Sequence, residues 1–151
     1  MDNVDRGLPQ GLPQTVEFGL TLKRAMHLFT LRTDEALQPI DLNLGLWSVL
    51  REMSRMPGAS ASELARASFH APQTLGSLLH RLESLGLVMR TTGRGRIIEN
   101  HLTEAGREAV KQANATVECI IGEALHTFTK ADRETFERLA TSLVAALSGP
   151  R

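Results

Sequence analysis

The sequence contains one cysteine and no long apolar run, and each absence excludes a class of protein. A single cysteine, Cys119, cannot build an internal disulfide framework, which agrees with a reducing compartment. No stretch of about 18 apolar residues is present to cross a bilayer. Met1 to Thr15 lack the basic start and apolar centre of a signal peptide. We therefore expect a protein that stays in the cytoplasm.

Motifs for catalysis and metal binding are also missing. The sequence contains no nucleophile elbow, no phosphate-binding loop and no paired-carboxylate motif. Its five histidines have no cysteine partners and no paired spacing on one helix. They are His27, His70, His80, His101 and His126. We therefore expect neither an enzyme nor a metal or cofactor site.

The chain has no net charge, but its charges are unevenly distributed. Its 17 basic and 17 acidic residues cancel overall. Residues 68–98 nevertheless hold four arginines and a single acidic residue, Glu83, whereas the segments on either side are slightly acidic. A local basic segment in a neutral protein indicates an anionic partner that is met on one face. The alternative is an ordinary solvated charged surface.

The 151 residues suit one domain with its own core, or a smaller core with helices that need a partner chain. Residues 1–14 repeat the unit Gly-Leu-Pro-Gln, whose glycine and proline spacing opposes both helix and strand. We expect a flexible arm there. From Thr15 an apolar stripe at helical spacing predicts a helix that continues to residue 38 and stops at Pro39.

The next segments have the order of a helix-turn-helix motif. A helix is predicted after Asn43, a suitable N-cap, and it ends before Pro57. Ser60 and Glu63 have capping-box spacing, in which each side chain bonds the backbone N–H of the other residue. Pro72 suits the first position of the following helix, because its missing N–H has no intrahelical partner there. A short helix, a tight connection and a second helix therefore follow in order.

The second helix of this motif has one apolar and one polar face. At about 100° per residue, five leucines share one side. These are Leu75, Leu78, Leu79, Leu82 and Leu85. The opposite side offers neutral hydrogen-bonding groups and an arginine but no carboxylate, which fits a helix lying in a major groove. We predict base contacts by Gln73, Thr74 and Ser77 and backbone contacts by His80 and Arg81. The alternative is an ordinary amphipathic helix with a polar exterior.

A β-hairpin is predicted directly after this helix. Gly86 can end the helix in a left-handed turn, and residues 87–91 and 96–102 then have strand character around a turn at 92–95. Arg94 lies in the turn and Arg96 beside it. An arginine on a narrow hairpin suits the minor groove, whose negative potential attracts guanidinium groups. We interpret the hairpin as the wing of a winged helix, with Arg94 and Arg96 as DNA contacts.

These segments resemble the MarR family of bacterial winged-helix transcription regulators. The resemblance rests on Leu64-Ala65, on the run from Pro72 to Leu75, on RLESLGLV over residues 81–88, and on LTEAG over residues 102–106. It extends over almost the whole chain. It implies a mainly α fold with a small β-hairpin wing, in which residues 42–102 form a winged helix-turn-helix domain flanked by dimerisation helices.

Two features depart from the family's pattern. The family commonly has serine before the proline that begins the recognition helix. This chain has Ala71, which cannot cap the helix and gives up about 1 kcal/mol, so we expect His70 or a phosphate oxygen to replace the missing group.

The family's wing often carries an Asp-x-Arg pattern in a longer loop, whereas this turn is shorter and has no aspartate. We therefore expect no nearby carboxylate to hold Arg94 and Arg96.

Apolar helices flank the predicted DNA-binding domain. Thr103 is a suitable cap for a long helix, and a final helix follows it. The apolar side chains of the long helix are Val110, Val117, Ile120, Ile121, Leu125 and Phe128. Residues 15–38 and 103–148 are too apolar to face solvent, so they close on one another or on a second chain. The resemblance implies the second arrangement, a homodimer that holds two winged domains over one operator.

The resemblance also implies a pocket between the dimerisation helices and the DNA-binding domain, where small aromatic or phenolic molecules bind and loosen DNA. In this chain the pocket draws on His27, Leu31, Trp47 and Arg51, which combine an apolar wall with polar anchors. The alternative is that His27 and Trp47 simply pack in the core.

The sequence therefore predicts a sequence-specific DNA-binding transcription regulator. We expect a repressor that binds a pseudo-palindromic operator as a dimer and is released by a small aromatic or phenolic ligand. Two alternatives stay open. One is a winged-helix module for protein–protein contact, which an apolar or acidic recognition face would favour. The other is a thiol-based redox sensor using Cys119, although Ile120 and Ile121 beside it favour a small buried apolar residue.

Overall fold

The computed structural model describes residues 15–149, and the predicted flexible arm over residues 1–14 lies outside them. Within these residues the structure has six α-helices and one two-stranded hairpin. The elements are α1 (Thr15–Leu37), α2 (Leu44–Arg55), α3 (Ala61–Ala67), α4 (Pro72–Ser84), β1 (Val88–Thr92), β2 (Ile98–Leu102), α5 (Glu104–Ala124) and α6 (Lys130–Leu147). A short 3-10 turn lies at Gln38–Ile40, and a turn with non-helical backbone lies at Arg94–Arg96. None of the described helices combines the length and apolar character needed to cross a membrane. The mainly α fold with a small hairpin is confirmed.

Polar side chains cap the helices where the sequence predicts. The Asn43 side chain accepts a hydrogen bond from the backbone N–H of Leu46 at 2.8 Å and begins α2. The Thr103 hydroxyl accepts one from the backbone N–H of Gly106 at 3.0 Å and begins α5. Each cap satisfies a backbone donor that has no partner inside its helix, which fixes where the helix starts.

The capping box at the start of α3 is complete. The Ser60 backbone N–H donates to Glu63 Oε2 at 2.8 Å, and the Glu63 N–H donates to Ser60 Oγ at 3.3 Å. Two hydrogen bonds from Ser60 lower the pKa of Glu63, because they stabilise its carboxylate form. The larger effect comes from the backbone N–H and the smaller from the hydroxyl. The short helix α3 is therefore fixed at its first residue, which sets the start of the helix-turn-helix.

The start of α4 differs from the expectation in one respect. Pro72 is the first helical residue, and Ala71 before it provides no side-chain hydrogen bond. The expectation that His70 replaces the missing cap is wrong, because its Nε2 lies 3.1 Å from Ser48 Oγ on α2. His70 thus joins the turn before α4 to α2, and the first backbone donors of α4 have no side-chain cap from this position.

The core lies where α2, α3 and α4 meet the hairpin and the inner faces of α1 and α5. The leucines Leu75, Leu79 and Leu82 of α4 are at most 1% exposed, while Leu78 and Leu85 at the edge of the same face are half-buried. They pack with buried side chains of the other elements. These include Leu37, Leu46, Val49, Leu50, Met53, Leu64, Val88, Val110, Ala113 and Val117. The predicted apolar face of α4 is therefore confirmed as a core face.

The hairpin is attached to the helices at its base. β1 and β2 are antiparallel, with Val88 opposite Leu102 and Thr92 opposite Ile98. Buried Asn100 of β2 donates its amide Nδ2–H to the carbonyl of Ala59 at 2.8 Å. The Gly58 backbone N–H donates to the Asn100 carbonyl at 3.1 Å. The loop between α2 and α3 therefore extends the hairpin like a short third strand.

The predicted returning strand begins too early. It was expected from residue 96, but β2 begins at Ile98. Gly95 and Arg96 have positive φ angles of 70° and 63°, and such a conformation interrupts an extended strand. Arg96 consequently lies in the turn with Arg94.

Two expectations about the C-terminal helices are also corrected. Helix α5 ends at Ala124, so Leu125 is its C-cap and Phe128 lies beyond it, where its ring meets Phe136 of α6 edge to face at 6.3 Å. Cys119 was expected to be a buried apolar residue, but it is exposed and its thiol donates to Glu123 Oε1 at 3.7 Å. The helical period turns Cys119 outward while Val117 points into the core.

The two terminal helices leave apolar side chains in solvent. On α1, Phe18 is 59% and Met26 52% exposed, and on α6 Phe136 is 56% and Leu147 73% exposed. Helix α6 has no buried side chain in the part of the chain that the structure describes. A helix gains most of its stability by packing an apolar face, so such a helix in a single chain would be marginal. These faces therefore favour a second copy of the chain.

We expect the protein to sediment at about twice its 16.5 kDa chain mass at micromolar concentration. Leu139→Glu places a charge on the apolar face of α6 and should shift the equilibrium towards monomer, since an unpaired charge in an interface is costly. The matched control is Thr141→Glu, which adds the same charge at an exposed polar position of the same helix. A parent mass that stays at one chain throughout a concentration series would contradict this assembly.

Candidate nucleic-acid interface

The outward side of α4 is a polar surface, which we call the recognition face: Gln73, Thr74, Ser77, His80 and Arg81. All five residues are exposed. The structure brings them together on the side of α4 opposite its buried leucines, as the helical period requires. The Ser77 hydroxyl donates to the carbonyl of Gln73 at 3.3 Å, and the other four side chains form no hydrogen bond or ion pair within residues 15–149 that would compete with an external partner. This face can present both donors and acceptors to a duplex.

The single acidic residue of the basic segment is held at the far end of α4. Glu83 lies in the last turn of the helix, and its carboxylate is 3.9 Å from the guanidinium of Arg90 on β1. Opposite charges at this distance partly offset one another at a solvated surface. The recognition face itself carries no carboxylate that would repel phosphates.

The hairpin turn presents two arginines. Arg94 and Arg96 are exposed, and within residues 15–149 neither guanidinium has an ion-pair partner. Arg96 has a φ angle of 63°, in the left-handed region that is costly for a residue with a Cβ. Strained backbone that places an unpaired cation at the tip of a hairpin is typical of a functional position. The arrangement fits an anionic partner outside the chain.

A carboxylate lies near this turn, but it holds neither of the two arginines, as expected. Glu99 of β2 stands opposite Thr91 and extends back over Gly93. Its hydrogen-bond partner is His101 Nε2 at 3.1 Å, and neither Arg94 nor Arg96. Neighbours along the chain do not reveal Glu99, because the hairpin register brings it to the turn from the opposite strand.

The predicted ligand residues lie on two helices. The Trp47 indole N–H donates to Asn114 Oδ1 of α5 at 2.9 Å, and Arg51 lies 3.6 Å from Glu52 on the same helix. Trp47 is half-buried against the core, and His27 and Leu31 are exposed on α1. A grouping of these four side chains around a ligand stays a prediction.

A cleft that the sequence did not indicate lies between α1 and the start of α2. It has a volume of about 370 Å³, and its lining includes Phe29, Asp34, Ser48 and His70. The Asp34 carboxylate accepts a hydrogen bond from the backbone N–H of Leu44 at 2.8 Å. The cleft depends on how α1 crosses α2, which a helical pattern along the sequence does not specify.

Comparison with known proteins agrees with this geometry. The family model described as MarR family matches residues 40–96, which span α2, α3, α4, β1 and the hairpin turn up to Arg96. A relative named HTH-type transcriptional repressor Rv2887, from Mycobacterium tuberculosis, is 32% identical over 135 residues, covering 88% of this chain and 97% of the relative. The corresponding protein of Mycobacterium bovis, HTH-type transcriptional repressor Mb2911, is equally similar, at 32% identity with the same coverage.

Solved structures of the Mycobacterium tuberculosis protein share the fold. Its complex with DNA superposes with a TM-score of 0.68 at 31% identity, covering 83% of this chain and 95% of that one. Its complex with p-aminosalicylic acid gives a TM-score of 0.69 at 32% identity, covering 83% of this chain and 96% of that one.

We predict that Gln73→Ala relaxes base preference at particular positions of a bound duplex. A side chain that pairs with a base edge contributes about 1–3 kcal/mol of discrimination. The measurement is binding of the variant to a panel of duplexes with single base changes. Gln112→Ala, at an exposed position of α5, is the matched control and should leave the preferences unchanged. Equal weakening by Gln73→Ala on every duplex would contradict a base contact.

Proposed function

Because this chain belongs to the MarR family of DNA-binding transcription regulators, we propose that it is a repressor that binds a pseudo-palindromic operator as a homodimer. One observation carries the proposal: an exposed recognition face without carboxylates is followed by a hairpin turn whose two arginines have no ion-pair partner among residues 15–149. The mycobacterial relatives are named HTH-type transcriptional repressors, which supports repression and not activation.

The recognition helix α4 enters the major groove in this proposal. Gln73, Thr74 and Ser77 in its first two turns contact base edges, because amide and hydroxyl groups can donate and accept there. His80 and Arg81 further along contact the phosphate backbone, which fixes the position of the helix without reading sequence. The first backbone N–H groups of α4, which lack a side-chain cap from Ala71, are suitably placed for a phosphate oxygen.

The hairpin formed by β1 and β2 acts as the wing. Arg94 and Arg96 enter the minor groove or contact the flanking phosphates, where a guanidinium is favoured by the negative potential. These contacts add affinity more than base selectivity.

The proposed unit of binding is a dimer. Residues 42–102 form the DNA-binding part, and residues 15–38 and 103–148 join the two copies through the apolar faces of α1 and α6. Two recognition helices related by a twofold axis match two half-sites spaced by about 34 Å, one turn of the duplex. An operator of this kind lies on the bacterial chromosome, so the proposal places the protein in the cytoplasm and assigns it no catalytic step.

The two other functions have less support. A protein-docking module is expected to show an apolar or acidic recognition face, whereas this face is polar and lacks carboxylates. A thiol sensor would use Cys119, which is exposed on α5 but stands beside an acidic partner, Glu123, and has no second cysteine in the sequence.

We propose further that a small aromatic acid weakens operator binding. The related Mycobacterium tuberculosis protein has been solved with salicylic acid and with p-aminosalicylic acid. The set His27, Leu31, Trp47 and Arg51 supplies an indole wall and a guanidinium that can hold a carboxylate. The cleft beside α1 has no lysine or arginine in its lining and does contain Asp34, so it better suits a neutral phenol.

The wing contacts are tested by removing both arginines. Arg94→Ala plus Arg96→Ala should leave the dimer intact and weaken operator binding. The slope of log affinity against log salt should become shallower by roughly 2–4 units per dimer, since each neutralised phosphate contributes about 0.9. Lys111→Ala plus Lys130→Ala removes the same charge elsewhere and is the control. Affinity and slope equal to those of the parent over about 50–200 mM salt would show that the wing does not contact DNA.

The effector proposal is tested with salicylate. Salicylate should release the operator complex, and Arg51→Ala should raise the concentration needed by about tenfold or more, since an ionic hydrogen bond contributes about 1.5–3 kcal/mol. Arg55→Ala is the matched control, because Arg55 lies on the same helix and pairs with the same Glu52. Equal responses of the two variants would contradict an Arg51 anchor, and an unaffected parent complex would contradict an aromatic acid as effector.

A further inference from the structure

Gly93 begins the turn between β1 and β2, which we call the wing turn. Its backbone angles do not require a glycine, but its surroundings do. Its φ of −86° and ψ of −166° are open to any residue. A Cβ atom at this position would nevertheless lie 2.7 Å from Cδ and 2.8 Å from Cγ of Glu99, well inside van der Waals contact. The side chain of Glu99 therefore occupies the space that a side chain at position 93 would need.

The Glu99 carboxylate is held in this place by His101. A carboxylate has only acceptor atoms, so His101 Nε2 carries the hydrogen and donates it to Glu99 Oε2 at 3.1 Å. Glu99 and His101 are two residues apart on β2 and therefore share one face of the hairpin. The imidazole in turn packs on Gly58, where a Cβ would lie 3.2 Å from its Cε1.

These contacts form a continuous row of groups, which we call the strut: Gly58, His101, Glu99 and Gly93. One end lies in the loop between α2 and α3, which is already tied to β2 through the backbone of Asn100. The other end lies at the turn, one residue before Arg94. The backbone N–H of Gly93 also donates to the Ile97 carbonyl at 2.7 Å, which closes the turn over the same residues.

We propose that Glu99 is a positioning residue that sets the wing turn for DNA, acting by contact with Gly93 and through its hydrogen bond from His101. The inference rests on the proposed operator binding and adds a residue that does not itself contact DNA. A two-stranded hairpin alone is marginally stable in water, so its tip needs support beyond the ladder. The strut supplies this support on the face that carries Glu99 and His101, and it links the turn to the helix-turn-helix body.

The charge of Glu99 argues that its role is structural. A carboxylate near two DNA-binding arginines repels phosphates, so charge alone would oppose operator binding. Neither Arg94 nor Arg96 is its hydrogen-bond partner in the structure. What Glu99 contributes is therefore shape and a hydrogen bond, both of which a glutamine can supply.

The test is a double-mutant cycle in the full-length protein, with operator affinity as the first readout. Glu99→Ala and Gly93→Ala should each weaken binding by about three- to tenfold, within the usual range of coupling between residues in contact. Combining them should weaken binding no further than Glu99→Ala alone, because the added methyl group then has room. Glu99→Gln should bind within about twofold of the parent or more tightly. Gly122→Ala is the matched control, since a Cβ there meets no atom within 4 Å.

The second readout does not need DNA. Amide hydrogen exchange over residues 91–98 of the free protein should accelerate in Glu99→Ala and stay at the parental rate in Glu99→Gln. Additive losses in the cycle, or unchanged exchange in Glu99→Ala, would overturn the positioning role. Tighter binding by Glu99→Ala would show that the carboxylate acts only by repelling DNA. A parent protein that binds no DNA would refute the proposed function, and the exchange rates would still decide whether the strut holds the turn.

Discussion

The burial of one row of leucines on α4 fixes the surface that this protein offers to a partner. Leu75, Leu79 and Leu82 are at most 1% exposed, and burial of each contributes about 1.5–3 kcal/mol. A helix has one rotational setting that buries all three, so the opposite side, with Gln73 and Ser77, must face solvent. The direction of the recognition face thus follows from the core.

The wing depends on the same core through a different connection. Asn100 is buried and bonds the loop between α2 and α3, so the base of the hairpin moves with the helix-turn-helix. Its tip has positive φ angles at Gly95 and Arg96 and projects two cations. A rigid base with a strained, exposed tip is a suitable arrangement for holding charge away from the body of the domain and towards a polyanion. The basic segment of this neutral chain is concentrated on these two elements for that reason.

Local signals in the sequence were sufficient for the starts of the helices. Asn43, Ser60 and Thr103 act as caps through contacts three residues away, and Pro72 begins α4, so each boundary is encoded next to the place where it occurs. The start of β2 and the end of α5 were misplaced. Two contacts between residues distant in sequence or on another strand were also missed. His70 bonds Ser48 and leaves the start of α4 uncapped, and Glu99 reaches the wing turn across the hairpin. Such contacts depend on the register of the two strands and on the angle at which helices cross. The pattern of residues along a single helix or strand does not specify either of these.

Helix α2 connects the two regions that a regulated repressor must couple. It carries Trp47, which bonds Asn114 of α5, and it also carries Ser48, which bonds His70 in the turn before α4. Its buried side chains, Leu50 and Met53 among them, pack in the same core as the leucines of α4. A close-packed core transmits a shift of one helix to its neighbours, because it has few voids that could absorb the movement. Under the proposed function, a ligand beside α2 would change operator affinity only to the extent that it binds one position of this helix more tightly than another.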